Sequence, residues 1–561
     1  MATNLHVLED SHHNTARIDA QKIAQQLDNY DAVVDAAARA TKADHELTLW
    51  QALKRNKKAV LWSMLLSTAL IMEGYDLVII NSFYGQEQFR QHYGKFDEAT
   101  QKWYIPASWQ SGLTNGALCG QIMGLLFNSW ASQRFGYRKT MAGALAFMAC
   151  AIFPVFFAPS LPVLVAGEIL CGLPWGIFQT LSTAYAADIL PIALRPLLTS
   201  YVNMCWGFGI LLSSGVARAA LNLEGAKAYH IPFALQWIWP LPLFIGVCMA
   251  PESPWWLIRK GRLDDAAHNI RRLNSYDTSE EEVQETLAMM QHTDAIERAE
   301  TEGASILDCF RGTNLRRTEI GCAVFAIQYL AGGPLVGYAV TFLQQSGMDD
   351  ESAFDFNLGV TTMYTVGTIV SWFFLNKLGR RTIYIGGIAL MSLITLVIGI
   401  LGFIPNTSLA VGILLICLNF AYNIGIGPVC YCIVAEVSSS RLRPIAVVLS
   451  RISYNLMGLV CNTITPRMIQ PTSWNWGAKS GLFWCGTGVL ACTYCYFRLV
   501  ETRGRTFGEL DALFAAKVPA RKFATTDIDL FVHTQDARHA ISTQGRPGSN
   551  GESDSVDEKK L

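Results

Sequence analysis

Twelve long apolar runs constrain this chain more than any other feature of its sequence. A helix that crosses a bilayer needs about 20 mostly apolar residues. Such runs stand at about 59–81, 109–130, 141–158, 162–187, 198–218, 232–250, 319–345, 358–378, 382–404, 408–434, 445–466 and 480–498. Charged residues make up 16% of the 561, against about 25% in soluble domains. They collect near both ends and in one central stretch. A disordered chain and a string of soluble domains are excluded, which leaves an all-α membrane protein with the lipid bilayer as partner. The net charge of −1 gives no basic bulk for nucleic acid. Most of the fourteen cysteines lie inside apolar runs, as Cys119, Cys150, Cys171, Cys248 and Cys492 do, and Cys430 and Cys432 point to different sides of a helix. They read as small buried hydrophobes, not as a disulfide framework or metal site. No cofactor is expected.

Loop charge gives the orientation. Lys54, Arg55, Lys57 and Lys58 precede the first run, and Arg134, Arg138, Lys139, Lys377, Arg380, Arg381, Arg441 and Arg443 fill loops on the same side. The opposite loops, around 159–161, 346–357 and 405–407, have no Lys or Arg. Both termini are therefore expected in the cytoplasm. Residues 1–58 read as a cytoplasmic segment too long and polar for a signal peptide, with 1–29 disordered and a soluble helix over 30–56. Residues 59–250 form one six-helix half, 251–318 a cytoplasmic linker with short helices, and 319–498 the second half. Residues 499–561 form a cytoplasmic tail, largely disordered from about 516. The sequon at Asn406 lies on so short an outer loop that it reads as unused.

The motifs on the charged side come in pairs. Arg134-Phe-Gly136-Tyr-Arg138 recurs as Lys377-Leu-Gly379-Arg380-Arg381, with the glycines 243 apart. Asp188 to Arg195 recurs as Glu436 to Arg443, 248 further on, and Pro251-Glu252 recurs as Val500-Glu501 after 249. Three motifs at nearly one offset, separated by an even number of spans, imply two six-span halves in the same orientation. That is the architecture of major facilitator transporters. Glycine at a tight turn lets two helices approach. The flanking arginines suit ion pairs with Asp188 and Glu436 that hold the cytoplasmic side shut in one state. Arg134, Arg138, Asp188, Arg195, Arg380, Arg381, Glu436 and Arg443 are the candidate gate. The plainer alternative is that the arginines only enforce topology.

These paired loops, with Pro251-Glu252-Ser253-Pro254-Trp255-Trp256 and Glu501-Thr502-Arg503-Gly504-Arg505-Thr506, resemble the sugar porter family over about residues 45–515. Glu73-Gly74-Tyr75-Asp76, Gly172-Leu-Pro174-Trp175-Gly176, Gly427-Pro428-Val429-Cys430-Tyr431-Cys432 and Trp474 to Gly481 resemble its fungal maltose permease branch. The resemblance implies an α-glucoside/proton symporter of the plasma membrane.

Four charges stand inside spans: Glu73 and Asp76 in span one, Glu168 in span four and Arg451 in span eleven. A charge at mid-bilayer costs roughly 2.5–3.5 kcal/mol on insertion scales, so such residues face a partner or a wet cavity. Glu73 and Asp76, three apart, are read as neighbours on one face, and Arg451 as a counter-charge. Asp76 matches the acid that the family uses for coupling, and Glu168 stands where glucose-type porters have Arg. Gln121, which cannot titrate, replaces a Glu of the maltose permease branch. Gln133 and Asn376 replace the acid of the loop motif.

Sugars are held by side-chain amides and aromatic faces. The resemblance maps substrate contacts onto Asn203, Gln328, Tyr431, Tyr454 and Asn455. Tyr329 replaces a second amide, Gly333 and Pro334 replace an Asn, and Ile210 replaces a Gln. Fewer amides and more tyrosines imply a bulkier or less polar ligand than glucose. The expected activity is proton-coupled uptake of a maltose-like α-glucoside by a monomer. The alternative is an exporter of a less polar fungal metabolite on the same scaffold. A sugar sensor would need a longer signalling tail, and no catalytic constellation points to an enzyme.

Overall fold

A computed structural model describes most of residues 49–526 and part of 32–40; positions 99–100, 192–193, 275–277, 302–305, 376–377, 440–441, 504–509, 511–512 and 515 lie outside the description, as do the remaining residues. The segments expected to be disordered, 1–29 and the end of the tail, fall there. So does most of the helix expected over 30–56, apart from α1 (Leu49–Arg55) and part of 32–40.

Twelve spans emerge, several of them built from consecutive pieces. The first half contains α2 (Lys57–Ser67) with α3 (Ala69–Phe83), α5 (Ala107–Phe135), α6 (Tyr137–Phe156), α7 (Leu161–Ile189), α8 (Arg195–Ala220), and α9 (Lys227–Leu235) with α10 (Pro240–Met249). The second contains α14 (Gly312–Leu330) with α15 (Gly333–Gly337) and α16 (Ala339–Gln345), α17 (Asp350–Leu375), α18 (Arg380–Leu401), α19 (Ser408–Gly425) with α20 (Gly427–Val437), α21 (Arg443–Ile469) and α22 (Ser480–Arg498). Seven of the twelve are long and apolar enough to qualify singly among the described residues. Others, such as the 29-residue α5, carry polar side chains toward the interior, with Gln110, Thr114, Gln121 and Asn128 buried. Their apolar side chains turn outward: Leu126, Phe127 and Trp130 on α5, and Phe373 and Phe374 on α17, are exposed. A surface of this kind is stable against lipid and not against water.

The breaks have local causes. Gly332 has φ 98°, a left-handed conformation open to glycine, and Pro334 follows it in the first turn of α15. Span seven, expected to be continuous over 319–345, breaks there and again at Tyr338, which gives three helices. Broken spans are tolerated where freed backbone lines a cavity.

Within the first half, α5 and α7 touch backbone to backbone. A Cβ on Gly120 would sit 2.2 Å from the Ile169 carbonyl oxygen, on Gly124 2.0 Å from that of Leu173, and on Gly176 2.3 Å from that of Gln121. Small residues four apart permit this approach, which packing in lipid requires. The halves meet along two seams, α5 with α21 and α8 with α17.

The linker is a folded unit. Helices α11 (Pro254–Arg259), α12 (Leu263–Leu273) and α13 (Glu280–Thr301) bury Leu257, Ile258, Ile270, Val283 and Leu287 together. At 22 residues α13 is longer than the short helices expected there. Two features were not foreseen. On the other side of the bundle, α4 (Glu87–Tyr93) is followed by a hairpin of β1 (Lys95–Asp97) and β2 (Lys102–Tyr104). The described stretch from 510 to 526 packs on the bundle, with Leu510, Leu513, Phe514, Ala520 and Phe523 buried. Disorder expected from about 516 is thus corrected for 516–526: Phe514 and Phe523 meet edge to face with centroids 5.0 Å apart and anchor the segment.

Candidate functional site

A cavity of about 180 Å³ lies between the halves. Its polar lining includes Glu73, Asn81 and Gln121 from one half and Gln328, Asn357 and Arg451 from the other. Tyr329, Tyr364, Tyr422 and Tyr454 supply aromatic faces, and Ile210, Gly333 and Pro334 also line it.

A polar bridge joins two lining residues, Glu73 and Arg451, from opposite halves. The buried Glu73 accepts hydrogen bonds from Gln121 Nε2 (3.2 Å) and from Gln179 Nε2. The other end of the Gln179 amide, Oε1, accepts from Arg451 Nε at 2.9 Å. Arg451 also donates to the Tyr431 hydroxyl at 3.2 Å and lies 4.4 Å over the Tyr454 ring. Glu73 and Arg451, on different halves, are thus joined through one amide and not by a direct ion pair.

Asp76 belongs to a different cluster and does not line the cavity. It accepts from Gln236 Nε2 and touches Glu168. Asp76 Oδ2 and Glu168 Oε1 are buried and find no N–H or O–H donor among the described residues. A single proton shared between these two carboxyls would satisfy both. The expected Glu73–Asp76 pairing is therefore corrected. Three helical residues turn about 300°, and in a tight bundle the remaining 60° sends the two side chains to different neighbours.

Residues 62–514 match the sugar (and other) transporter family. The chain belongs to that family. It is a multi-pass membrane transporter and not an enzyme. The chain is 38% identical to the general alpha-glucoside permease of Saccharomyces cerevisiae over 98% of its own length and 89% of that protein. It is also 38% identical to the yeast maltose permease MAL61, over 95% of this chain and 88% of the relative. The proton:xylose symporter XylE bound to 6-bromo-6-deoxy-D-glucose superposes with a TM-score of 0.67 at 20% identity, covering 82% of this chain and all of XylE. The partially occluded inward open form of XylE from E. coli gives 0.65 at 20% identity, over 80% of this chain and all of that one. These likenesses establish the major facilitator fold.

The remaining substrate candidates of this transporter are scattered. Gln328 lines the cavity, accepting from the Tyr422 hydroxyl at 2.6 Å and donating to Cys430 Sγ at 3.0 Å. Tyr329 and Tyr454 pack with tilted rings, centroids 4.7 Å apart. Asn203 accepts from the Tyr364 hydroxyl at 3.0 Å and donates to Thr368 Oγ1 at 3.4 Å, which ties it to the α8–α17 seam. Asn455 is fully buried, and its amide has no hydrogen-bond partner among the described residues. Gln179, Tyr364, Tyr422 and Gln236 were missed. Gln179 had a usable signal: it stands eleven residues, or three turns, beyond Glu168 on α7.

On the linker side, the paired motifs form matching corners. Glu252 accepts from the backbone N–H groups of Tyr137 (2.8 Å), Arg138 (3.2 Å) and Ser253 (3.1 Å). Burial pushes its carboxyl above the usual range, and those N–H groups oppose the shift. Glu501 accepts from Arg380 (2.9 Å), Arg381 (3.2 Å), Thr502 (3.1 Å) and Arg503 (3.1 Å). A Cβ on Gly136 would come within 2.6 Å of Glu252 Oε2, and one on Gly379 within 2.2 Å of Glu501 Oε2. The glycines make room for a carboxylate at a helix N-terminus, not for a second helix as expected. Ser253 Oγ donates to Asp188 at 2.6 Å, and Thr502 Oγ1 at 2.5 Å to Glu436, which also pairs with Arg380 at 3.1 Å. Arg138 Nη1 reaches the Ala250 carbonyl and Arg381 Nη2 that of Tyr496. None of these bonds joins one half to the other: each ties a half to the segment that follows it or to itself. Arg134 is exposed, and the Arg195 and Arg443 side chains lie outside the described residues.

At the opposite end the halves are tied to each other. Arg218 pairs with Glu351 and Asp355, Arg90 with Asp350 at 3.5 Å, and Gln344 Nε2 donates to the Gly85 carbonyl at 2.9 Å. Tyr338 donates to Thr114 at 3.2 Å, and Gln470 to the Ile105 carbonyl at 2.5 Å.

Proposed function

We propose that this transporter takes up an α-glucoside such as maltose together with a proton, across the plasma membrane, with both termini in the cytoplasm. The observation that carries the reading is the buried Glu73, which lines the cavity and reaches Arg451 across the halves through Gln179. A carboxyl there bridges substrate space and counter-charge, so its protonation alters both. Asp76 and Glu168 supply a second proton site beside the cavity. Tyr329, Tyr454 and Gln328 offer ring faces and an amide to a sugar, and the yeast relatives named for α-glucosides and maltose support that substrate class. The cavity is complete within one chain, which suits a monomer. On this reading the linker side is cytoplasmic, and the paired corners brace each half while Arg134, Arg138, Arg195, Arg380, Arg381 and Arg443, with Asp188 and Glu436, form the gate that closes in the outward-facing state.

The test is uptake of labelled maltose by yeast lacking its own α-glucoside carriers, at external pH 5 and 7.5. Uptake that is strong at pH 5 and collapses with an uncoupler is expected. No uptake at either pH, with the protein at the plasma membrane, would overturn the reading in favour of a less polar cargo.

A further inference from the structure

The linker side of the second half has a second pocket, which shares no lining residue with the central cavity. It measures about 540 Å³ and is bounded by the start of α14 (Gly312, Thr313), the end of α22 (Phe497, Arg498), and Arg316 and Lys517. Arg316 is held in place: Nη1 donates to the Val518 carbonyl at 2.9 Å, and its guanidinium lies 5.5 and 5.6 Å over the Phe514 and Phe523 rings. Its Nε finds no hydrogen-bond partner among the described residues. Arg498 stands close enough to repel it. Glu319, which pairs with Arg498 and accepts from Tyr494, offsets both. Lys517 is exposed, with no ion pair among the described residues. Arg521 lies 4.2 Å over Tyr496 and 4.8 Å over Phe497. Three cations, Arg316, Arg498 and Lys517, therefore line the pocket, and Arg521 stands beside it on the ring of the lining Phe497, with Glu319 paired to Arg498; the N-terminal amides of the 19-residue α14 add positive potential.

We propose that this pocket binds a phosphorylated lipid headgroup from the leaflet on the linker side. A phosphomonoester carries about −1.5 to −2 charges and three acceptor oxygens, which suits the surplus. The volume falls in the range of ligand pockets, roughly 300–1,000 Å³, and is more than a bare phosphate fills. Tyr496 and Phe497, 48% and 59% exposed, face outward at the last turn of a bilayer-crossing helix. Aromatic rings beside basic groups at such a turn mark headgroup depth, so the mouth opens where a lipid phosphate lies.

The full-length protein in phosphatidylcholine nanodiscs, with and without phosphatidylinositol 4-phosphate, provides the test, with retained lipid read by native mass spectrometry. Wild type should retain the phosphoinositide selectively, and inorganic phosphate should not displace it. Lys517→Gln and Arg521→Gln remove exposed charges and leave Arg316 and the buried Phe514 and Phe523 intact. Each should weaken retention about fivefold, while Lys139→Gln, an exposed cation on the first half, should leave it unchanged. Variants indistinguishable from wild type, or an equal loss in Lys139→Gln, would overturn the site. Displacement by inorganic phosphate without any preference between nanodiscs would overturn the lipid assignment.

Discussion

Gly379 and Glu501 form one device in two pieces, and a double-mutant cycle separates them. Glu501 takes four backbone N–H groups. A hydrogen bond to a charged group contributes about 1.5–3 kcal/mol, but water reaches this half-buried corner and replaces part of each. Glu501→Ala should therefore cost about 2–4 kcal/mol in total. Gly379→Ala places a methyl 2.2 Å from the carboxylate and expels it, so its cost should be similar. Once Glu501 is gone the clash is gone. Gly379 has φ −69° and ψ 148°, a conformation open to any residue, so adding Gly379→Ala to Glu501→Ala should change stability by no more than about 0.5 kcal/mol.

The other corner should behave differently, although three backbone N–H groups hold Glu252 at the matching places. Gly136 has φ 90° and ψ 171°, a region essentially reserved for glycine and costing other residues about 1–3 kcal/mol. Gly136→Ala should remain damaging in the Glu252→Ala background. Thermal midpoints of fluorescent fusions in detergent, read by size-exclusion recovery, suffice to rank the variants. If Gly379→Ala costs as much without Glu501 as with it, or if the two corners give the same coupling, this account of the paired glycines is refuted.

Gln328→Ala should raise the KM for substrate more than Asn203→Ala, because Gln328 lines the cavity and Asn203 is held in a seam; equal KM values in uptake assays would contradict this. Gln179→Ala should lower uptake and flatten its dependence on external pH, since it cuts the only hydrogen-bonded path seen between Glu73 and Arg451 among the described residues; an unchanged pH profile would count against that bridge. Arg218→Ala removes two ties between the halves at the end away from the linker and should speed thiol labelling of a cysteine placed in the cavity from that side; unchanged labelling would show that the ties do not hold it closed. Gly124→Leu should cost at least about 1–3 kcal/mol through overpacking, visible as loss of monodisperse protein.

The repeated halves, the spans and the corner acids were legible because they are properties of spacing. Asp188 and Glu436 announce themselves by a shared offset, and Glu73, Asp76, Glu168 and Arg451 by their cost in lipid. Partner choice was not legible. Whether Asp76 meets Glu73 or Glu168 depends on about 60° of rotation within α3, and the burial of Asn455 depends on how α21 is turned. The break at Gly332 was hidden because a glycine beside Gly333-Pro334 resembles the small residues that fill membrane helices. Residues 516–526 looked like tail because polar composition masked two aromatic anchors, Phe514 and Phe523.

The glycine contact between α5 and α7 gives this molecule an internal yardstick. Two backbones that touch with no side chain between them have nothing to repack, so neither helix can slide without a collision. Spin labels placed one on each of these helices should report a single constant separation through the whole transport cycle. Any change read between labels across the α5–α21 seam can then be scaled against it, and relative motion of the halves becomes distinguishable from distortion within one.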